Sequence, residues 1–509
     1  MKNNFNLVTD KWIDTDKGLA SLYDLFFDTS YQRLTDNAFI KIGVFYLLRC
    51  IAQRSYTPVD DRDFKLCSLP EFQQKVTEYL TDHKDLFYLY GDKPFLQFPV
   101  LKQYNSTKKT SLGAFIPFVA CGNTVCLTQY SVDKKLSDAQ KAKVLVTVQA
   151  VSLAGKRIDN SIVITPGYKG KLSDKNKPSS GCVSPFFGYS GALNSFFVGS
   201  SVADSVMRNL LTLEDIKKNA ILSLGLGKPC WELDITGEDC PDAEVMRYSY
   251  LGRLVPLVRF CYIDGDEITC TDGIKHLTEK DGVVPLSMTY MEDPKKGIKV
   301  KNADPQRKPW RDLTALLSYL DSTSNSGWRC KLLAYCFDRA TFSKETVGIW
   351  SGGLKVKTNS GEQKVSGGDD FVESYTEFDV STLRRHSFYS DLVLVLDKLE
   401  KKEFYLRRSI VAFYSNRGSK DDNKPKLLPE KNVPQVKAAK EDYWRQCDLL
   451  SEQCIKAVES GLESEAMKQF LLKTNQIALK VYDSYCHASS SADFINWVKY
   501  RPHFKSEIK

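Results

Sequence analysis

From about residue 380 onward the chain repeats apolar side chains at three- and four-residue steps, and only packed helices bury stripes of that period. Val436, Tyr443, Cys447, Leu450, Cys454 and Val458 form one stripe, and Met467, Phe470, Thr474, Ile477, Val481 and Tyr485 another. Two more helical segments precede them, SDLVLVLDKLEKKEF and FYLRRSIVAFYSN, ahead of a polar linker at 417–432. Four such helices bury their stripes most simply as a four-helix bundle. No internal repeat is visible.

The residues before about 375 mix short strands with short helices. VTDKWIDT opens strand-like, and residues 37–53, NAFIKIGVFYLLRCIAQ, are apolar nearly all round, which predicts a buried helix. LSDAQKAKVLVTVQAVSLAG (136–155) predicts a helix capped by Ser and Asp and stopped at Gly155. A polar stretch follows at 165–181, TPGYKGKLSDKNKPSSG, whose lysines either follow phosphates or simply face water. Residues 352–374 read as a β-hairpin: Leu354, Val356 and Thr358 alternate with lysines, and Asn359, Ser360 and Gly361 make the turn. Gln363 follows the turn, between Lys357 and Lys364. The fold class expected is α+β, with a mixed amino-terminal domain over 1–378 and the helical bundle over 379–509.

Composition excludes several classes. At 509 residues, 42% hydrophobic and 26% charged, the chain is an ordinary globular protein with a core that needs no staples. Its 71 Lys and Arg against 63 Asp and Glu give +8, which permits a nucleic-acid patch without requiring one. Fourteen cysteines without paired regular spacing, and no leader at MKNNFNLVTDKW, point to a reducing cytoplasm. No apolar run reaches the roughly 20 residues of a membrane span.

Catalytic signatures are missing. The five histidines make no metal-binding arrangement, and neither a phosphate-binding loop nor a G-x-S-x-G elbow occurs. Asp369 and Asp370 offer magnesium a pair of acids, but neighbours on a strand point to opposite faces; a solvated turn is the other reading. Cys121 and Cys126 have C-x4-C spacing, yet Cys261 and Cys270 lie too far apart to make the second tight pair of a zinc site. Small buried cysteines explain them as well. No cofactor is expected, and the residues argue for a binding protein.

Several segments, in order over most of residues 5–480, resemble the CasA family, the large subunit of the type I-E CRISPR surveillance complex, Cascade. They are NFNLVTDKWI, FVACGNTVCLTQYSVDKKLSDAQKAKVLVTVQAVSLAG, GKPCWE, RLVPL, SMTYMEDPKKG, RKPWRDLTALLS and AAKEDYWRQCDLL. The resemblance implies a subunit that cuts nothing. Its partners would be the CRISPR RNA, double-stranded target DNA, the other Cascade subunits and the separate helicase-nuclease. Such a subunit reads the PAM, a short motif beside the target, from the minor groove, while guide RNA reads the target by base pairing.

Matching motif to motif carries the family's sites onto this chain. Gln363 corresponds to a glutamine wedge that parts the duplex, where unstacking costs a few kcal/mol per step; an exposed strand glutamine is the plain alternative. Gly155 corresponds to the glycine loop facing the PAM, because a residue without Cβ lets the backbone approach base edges; a helix C-cap is the alternative, and both roles are compatible. Lys275 corresponds to the minor-groove lysine, with Lys280 its rival and a solvated lysine the alternative. Asn123 corresponds to the residue that meets the guide's 5′ end and the PAM region, or else serves a turn. Lys156 and Arg157 directly follow the glycine and are positioned to hold phosphate. Two other classes stay open: a metal-dependent nuclease on Asp369, Asp370 and Glu373, and a purely structural scaffold.

Overall fold

The computed structural model describes residues 4–104, 110–112, 135–154, 158–179, 182, 184, 187–188, 190–278, 281–293, 295–321, 327–359, 362–364, 370–416 and 427–504. The chain divides into two compact units, Met1–Tyr319 with Ser324–Tyr375, and Leu320–Thr323 with Thr376–Lys509. The expected α+β class holds, with a mixed amino-terminal unit and a helical carboxy-terminal one.

The mixed unit is built around one helix, Ala38–Ser55, whose residues from Ala38 to Gln53 are all buried. Asn37 starts it by accepting from the amides of Phe39 and Ile40. It packs against Asp138–Ala150, where a Cβ on Gly43 would meet the Thr147 Cα at 3.2 Å. The sheets around it are small: Phe371–Asp379, Thr346–Leu354 and Asn194–Val198 lie side by side in that order, and Gly297–Val300, Thr289–Asp293 and Trp328–Cys330 form another three-stranded sheet. A third pairs Thr110–Ser111 with Glu267–Asp272, which pairs in turn with Arg259–Asp264.

Three aromatic residues of the motifs behind the family resemblance are core packing. Trp12 is fully buried and donates from Nε1 to the Leu7 carbonyl at 3.0 Å, while Trp310 lies buried beside Asp312, which takes Lys301 at 2.9 Å. Tyr443, in the carboxy-terminal unit, donates to the Leu399 carbonyl at 3.1 Å from a fully buried position.

Among the described residues of the helical unit, the helices differ from the four predicted from periodicity. The first two predicted segments are one continuous helix, Phe388–Ser415. The third divides into Pro434–Asp448 and Ser451–Ser460, because Leu450, at φ −103 and ψ 9, leaves the helical path; Glu465–Tyr485 is the fourth, and Ser491–Tyr500 follows it. Inside, Lys402 is buried and donates to Thr474 Oγ1 at 2.7 Å and to the Leu471 carbonyl at 3.1 Å.

Candidate nucleic-acid interface

The antiparallel pair Arg259–Asp264 and Glu267–Asp272 organises the site. Its turn passes through Gly265 at φ +63, and its open end brings Arg259 opposite Asp272. These two form an ion pair that is almost wholly buried. Burial works against the Arg259 charge, and the Asp272 carboxylate overcomes that, raising the guanidinium above its ordinary value. Arg259 also donates to the Leu153 carbonyl at 2.9 Å. Further along the sequence, the Asp159 amide donates to the Cys270 carbonyl at 2.8 Å. Asn160 accepts from the Asp272 amide at 2.9 Å and donates to its carboxylate at 2.7 Å. The residues on both sides of 155–157 are therefore tied to one hairpin.

Lys275 leaves the same hairpin. Gly273 permits the exit, since a Cβ there would lie 2.1 Å from the Leu257 carbonyl oxygen. Ile274 is then buried, and the following backbone is clamped: Arg247 donates to the Lys275 carbonyl at 3.2 Å and Arg253 to the Leu277 carbonyl at 3.0 Å. The His276 Nε2 sits 2.6 Å from the Pro256 carbonyl. Burial, with Arg253 adding to it, pushes that imidazole well below its ordinary value, so it stays neutral and donates. Lys275 itself is exposed. A fixed backbone with a cationic backing and an outward ammonium is a suitable device for reaching into a groove.

The polar stretch after residue 165 is anchored rather than free. Lys171 is 2% exposed and Glu238 0%, and the two form an ion pair. Glu238 also accepts from the amides of Ile164 at 3.0 Å and Thr165 at 2.6 Å, and Lys171 donates to Thr271 at 2.9 Å. Burial opposes the Glu238 charge, but those amides and the lysine outweigh it and hold the carboxyl below its usual range. Lys171 is thus unavailable to phosphate, whereas Lys169, Lys175 and Lys177 are exposed. Sequence patterning missed Lys171, Glu238, Arg259 and Asn160. Their partners lie far along the chain, and no local signal marks them.

The hairpin expected around Gln363 is present, with Lys357–Asn359 paired to Glu362–Lys364. Thr358 faces Gln363 across it. Asn359, expected in the turn, belongs to the strand. Its base is the strand Thr346–Leu354, where the Gly191 Cα packs so closely on the Leu354 carbonyl that a Cβ would lie 1.9 Å from the oxygen.

Other predicted positions fall differently. Asn123, Gly155, Lys156, Arg157, Lys280 and Asp369 lie outside the described residues, as do Cys121 and Cys126. The helix expected to stop at Gly155 ends at Ala150, and its C-cap is Val151 rather than Gly155. The chain beyond that cap brings the Leu153 carbonyl to Arg259. Cys261 and Cys270 are buried cross-strand partners with sulfurs 2.8 Å apart. Glu373 is occupied: one of its carboxylate oxygens accepts from Lys41 at 2.7 Å and from Trp350 at 2.8 Å. Among the described residues no cluster of three or more metal-ligating side chains occurs, and no helix is long and apolar enough to cross a membrane.

Solved structures share this fold over nearly its whole length. Thermobifida fusca Cse1 matches with a TM-score of 0.73 at 16% identity, covering 98% of this chain and 96% of that one. Thermus thermophilus CasA matches with a TM-score of 0.70 at 16% identity, covering 98% of each. A chain of a CRISPR RNA-guided surveillance complex matches with a TM-score of 0.67 at 13% identity, again covering 98% of each. No curated protein matches the chain. The family model of CRISPR-associated protein Cse1 matches residues 6–481. The chain belongs to the Cse1 family, and the resemblance read from its sequence holds, CasA and Cse1 being two names for one kind of protein.

Proposed function

We propose that this chain is the non-catalytic large subunit of an RNA-guided Cascade complex in the cytoplasm. In this reading it assembles with CRISPR RNA and the other Cascade subunits. It reads the PAM of double-stranded DNA from the minor groove, starts strand separation with Gln363, and helps recruit the helicase-nuclease. The observation that carries the reading is the shared hairpin, which ties Leu153 and Asp159 on one side and presents Lys275 on the other. Leu153 and Asp159, which flank the glycine, Lys156 and Arg157 in sequence, are thus tied to the hairpin that leads to Lys275, which supports a groove reader with a phosphate clamp. Gln363, on its own two-stranded arm, supplies the wedge.

The test is DNA binding by the assembled complex at fixed salt, comparing a PAM-containing duplex with a scrambled one. Lys275→Ala is expected to weaken PAM-dependent binding about 5- to 150-fold, corresponding to ~1–3 kcal/mol for a base contact. Gln363→Ala is expected to slow strand separation more than it weakens initial binding. Lys156→Ala with Arg157→Ala should flatten the salt dependence without changing PAM preference. PAM preference that survives both Lys275→Ala and Gln363→Ala would refute the reading. The engaged state of Glu373 gives the nuclease alternative no support, and magnesium-dependent cleavage abolished by Asp370→Ala would revive it.

A further inference from the structure

A cavity of about 320 Å³ opens beside the sheet Gly297–Val300, Thr289–Asp293, Trp328–Cys330, lined by Phe187, Ala192, Lys299, Val300, Asn302 and Trp328. That volume lies at the small end of the roughly 300–1,000 Å³ typical of ligand sites, enough for one flat group. The strand register sets its chemistry. Lys299 pairs with Met291, and Met291 pairs with Trp328, so the three stand in one cross-strand row on one face. The Lys301 ammonium lies 5.1 Å from the centre of the Trp328 ring, and half-buried Trp328 is bordered by lysines in two directions. Phe187 is fully buried and makes an apolar floor, held edge-on by Phe39 at 5.2 Å. Asn302 is exposed at the rim and offers an amide donor and acceptor.

The acids nearby are already engaged. Asp293 takes Lys299 at 2.7 Å together with the amides of Lys295 and Lys296, and Asp312 takes Lys301 and Arg307. Lys295 and Lys296 are exposed at the hairpin tip. An aromatic face, an amide at the rim and a lysine border fit a planar heteroaromatic ring joined to an anion. Location narrows this further. Gly191 accepts from the Ala303 amide at 2.9 Å and packs on Leu354, three residues before the arm that carries Gln363.

We propose that this cavity receives one unpaired nucleotide, its base against Trp328 and its phosphate beside Lys299. Paired bases are covered by their neighbours in the stack, so the site selects single strands. The inference deepens the strand-separating reading above, and it rests on that reading for the source of the nucleotide. A base released at the Gln363 arm would find a second surface close by, which would oppose re-pairing.

The test measures binding of the full-length chain to a short fluorescein-labelled oligonucleotide, as single-stranded DNA, single-stranded RNA of the same sequence, and duplex DNA. Trp328→Ala is expected to weaken single-strand binding about 5- to 150-fold, the range measured for stacked bases, with little change for duplex. Trp328→Phe should restore most of the affinity, which separates stacking from a folding defect. Lys299→Ala is expected to lower the slope of log affinity against log salt by about 0.7, as loss of one single-strand phosphate contact requires. Preference for DNA would assign the nucleotide to a separated target strand, and preference for RNA to the guide; either supports the site. Wild-type single-strand binding by Trp328→Ala, or an equal loss on duplex, overturns it. In the assembled complex Trp328→Ala should leave PAM preference intact, so failure of this proposal is distinguishable from failure of the PAM reading, which Lys275→Ala tests.

Discussion

The two units hold buried cations in different ways. In the mixed unit several interior cations are paired with carboxylates, Arg259 with Asp272, Lys171 with Glu238, Arg208 with Asp204 and Arg339 with Asp215, while fully buried Arg49 donates to the Tyr250 hydroxyl and the Asn209 carbonyl. Two of these pairs, Lys171 with Glu238 and Arg339 with Asp215, join segments distant in sequence, and Lys171 also donates to Thr271 of the hairpin that leads to Lys275. In the helical unit Lys402 is buried against a hydroxyl and a helix carbonyl instead. Burial pushes its ammonium down from 10.5 to about 8. A unit made of irregular loops needs charged tethers to hold its geometry, whereas helices already satisfied along their own backbones are held by apolar stripes.

That contrast can be broken or sharpened by substitution. The largest effect is expected for Glu238→Ala, which leaves Lys171 charged and buried. Removing one member of such a pair costs about 3–5 kcal/mol, and limited proteolysis should then cut within 163–179. Equal resistance of mutant and wild type would show that the tether is dispensable. Lys402→Met should act in the other direction, stabilising the helical unit by about 1–4 kcal/mol, since an apolar residue of similar length needs no desolvation. Amide exchange in Phe388–Ser415 is the measurement.

The same lysine makes a pH prediction. Its folded value lies below its unfolded value, so between about pH 8 and 10.5 the unfolded chain holds a proton that the folded one has released. Stability of the helical unit therefore rises with pH across that window, by roughly 3 kcal/mol if this group acts alone. Below about pH 8 both states are protonated and the full cost of burying the charge is felt. Lys402→Met should abolish the rise; an unchanged slope would show that other groups produce it. A smaller effect is expected for Ser464→Ala, which removes the side chain that accepts from the Met467 amide and should weaken the start of Glu465–Tyr485 by about 1 kcal/mol. The smallest belongs to Glu452→Ala at an exposed ion pair with Lys456, where no change in melting temperature is expected.

Much of the fold was legible because it is local. The buried helix after Asn37 and the cap at Ser137 are written in consecutive residues, and both are found where the pattern placed them. So is the two-stranded arm around Gln363, although Asn359, expected in the turn, belongs to the strand. The helical stripes were equally clear, but their joints were not. Nothing in the periodicity of 390–416 says whether one helix or two will form, and the break at 449–450 carries no glycine or proline. Collinear motifs identified the family because residues such as Trp12, Trp310 and Tyr443 occupy its core, where packing restricts substitution.

By itself, the sequence determined the α+β class, the change to helices near residue 380, and the family. Each of these depends on the identity and spacing of near neighbours, which the backbone periods of helix and strand turn directly into buried faces. Tertiary structure alone decided that Arg259 reaches Leu153, that Lys171 is neutralised by Glu238, and that Lys299 and Trp328 share a row across Met291. Those outcomes depend on strand register and on the closure of long loops. A one-residue slip would turn each side chain to the other face, and no short stretch of sequence encodes which register wins.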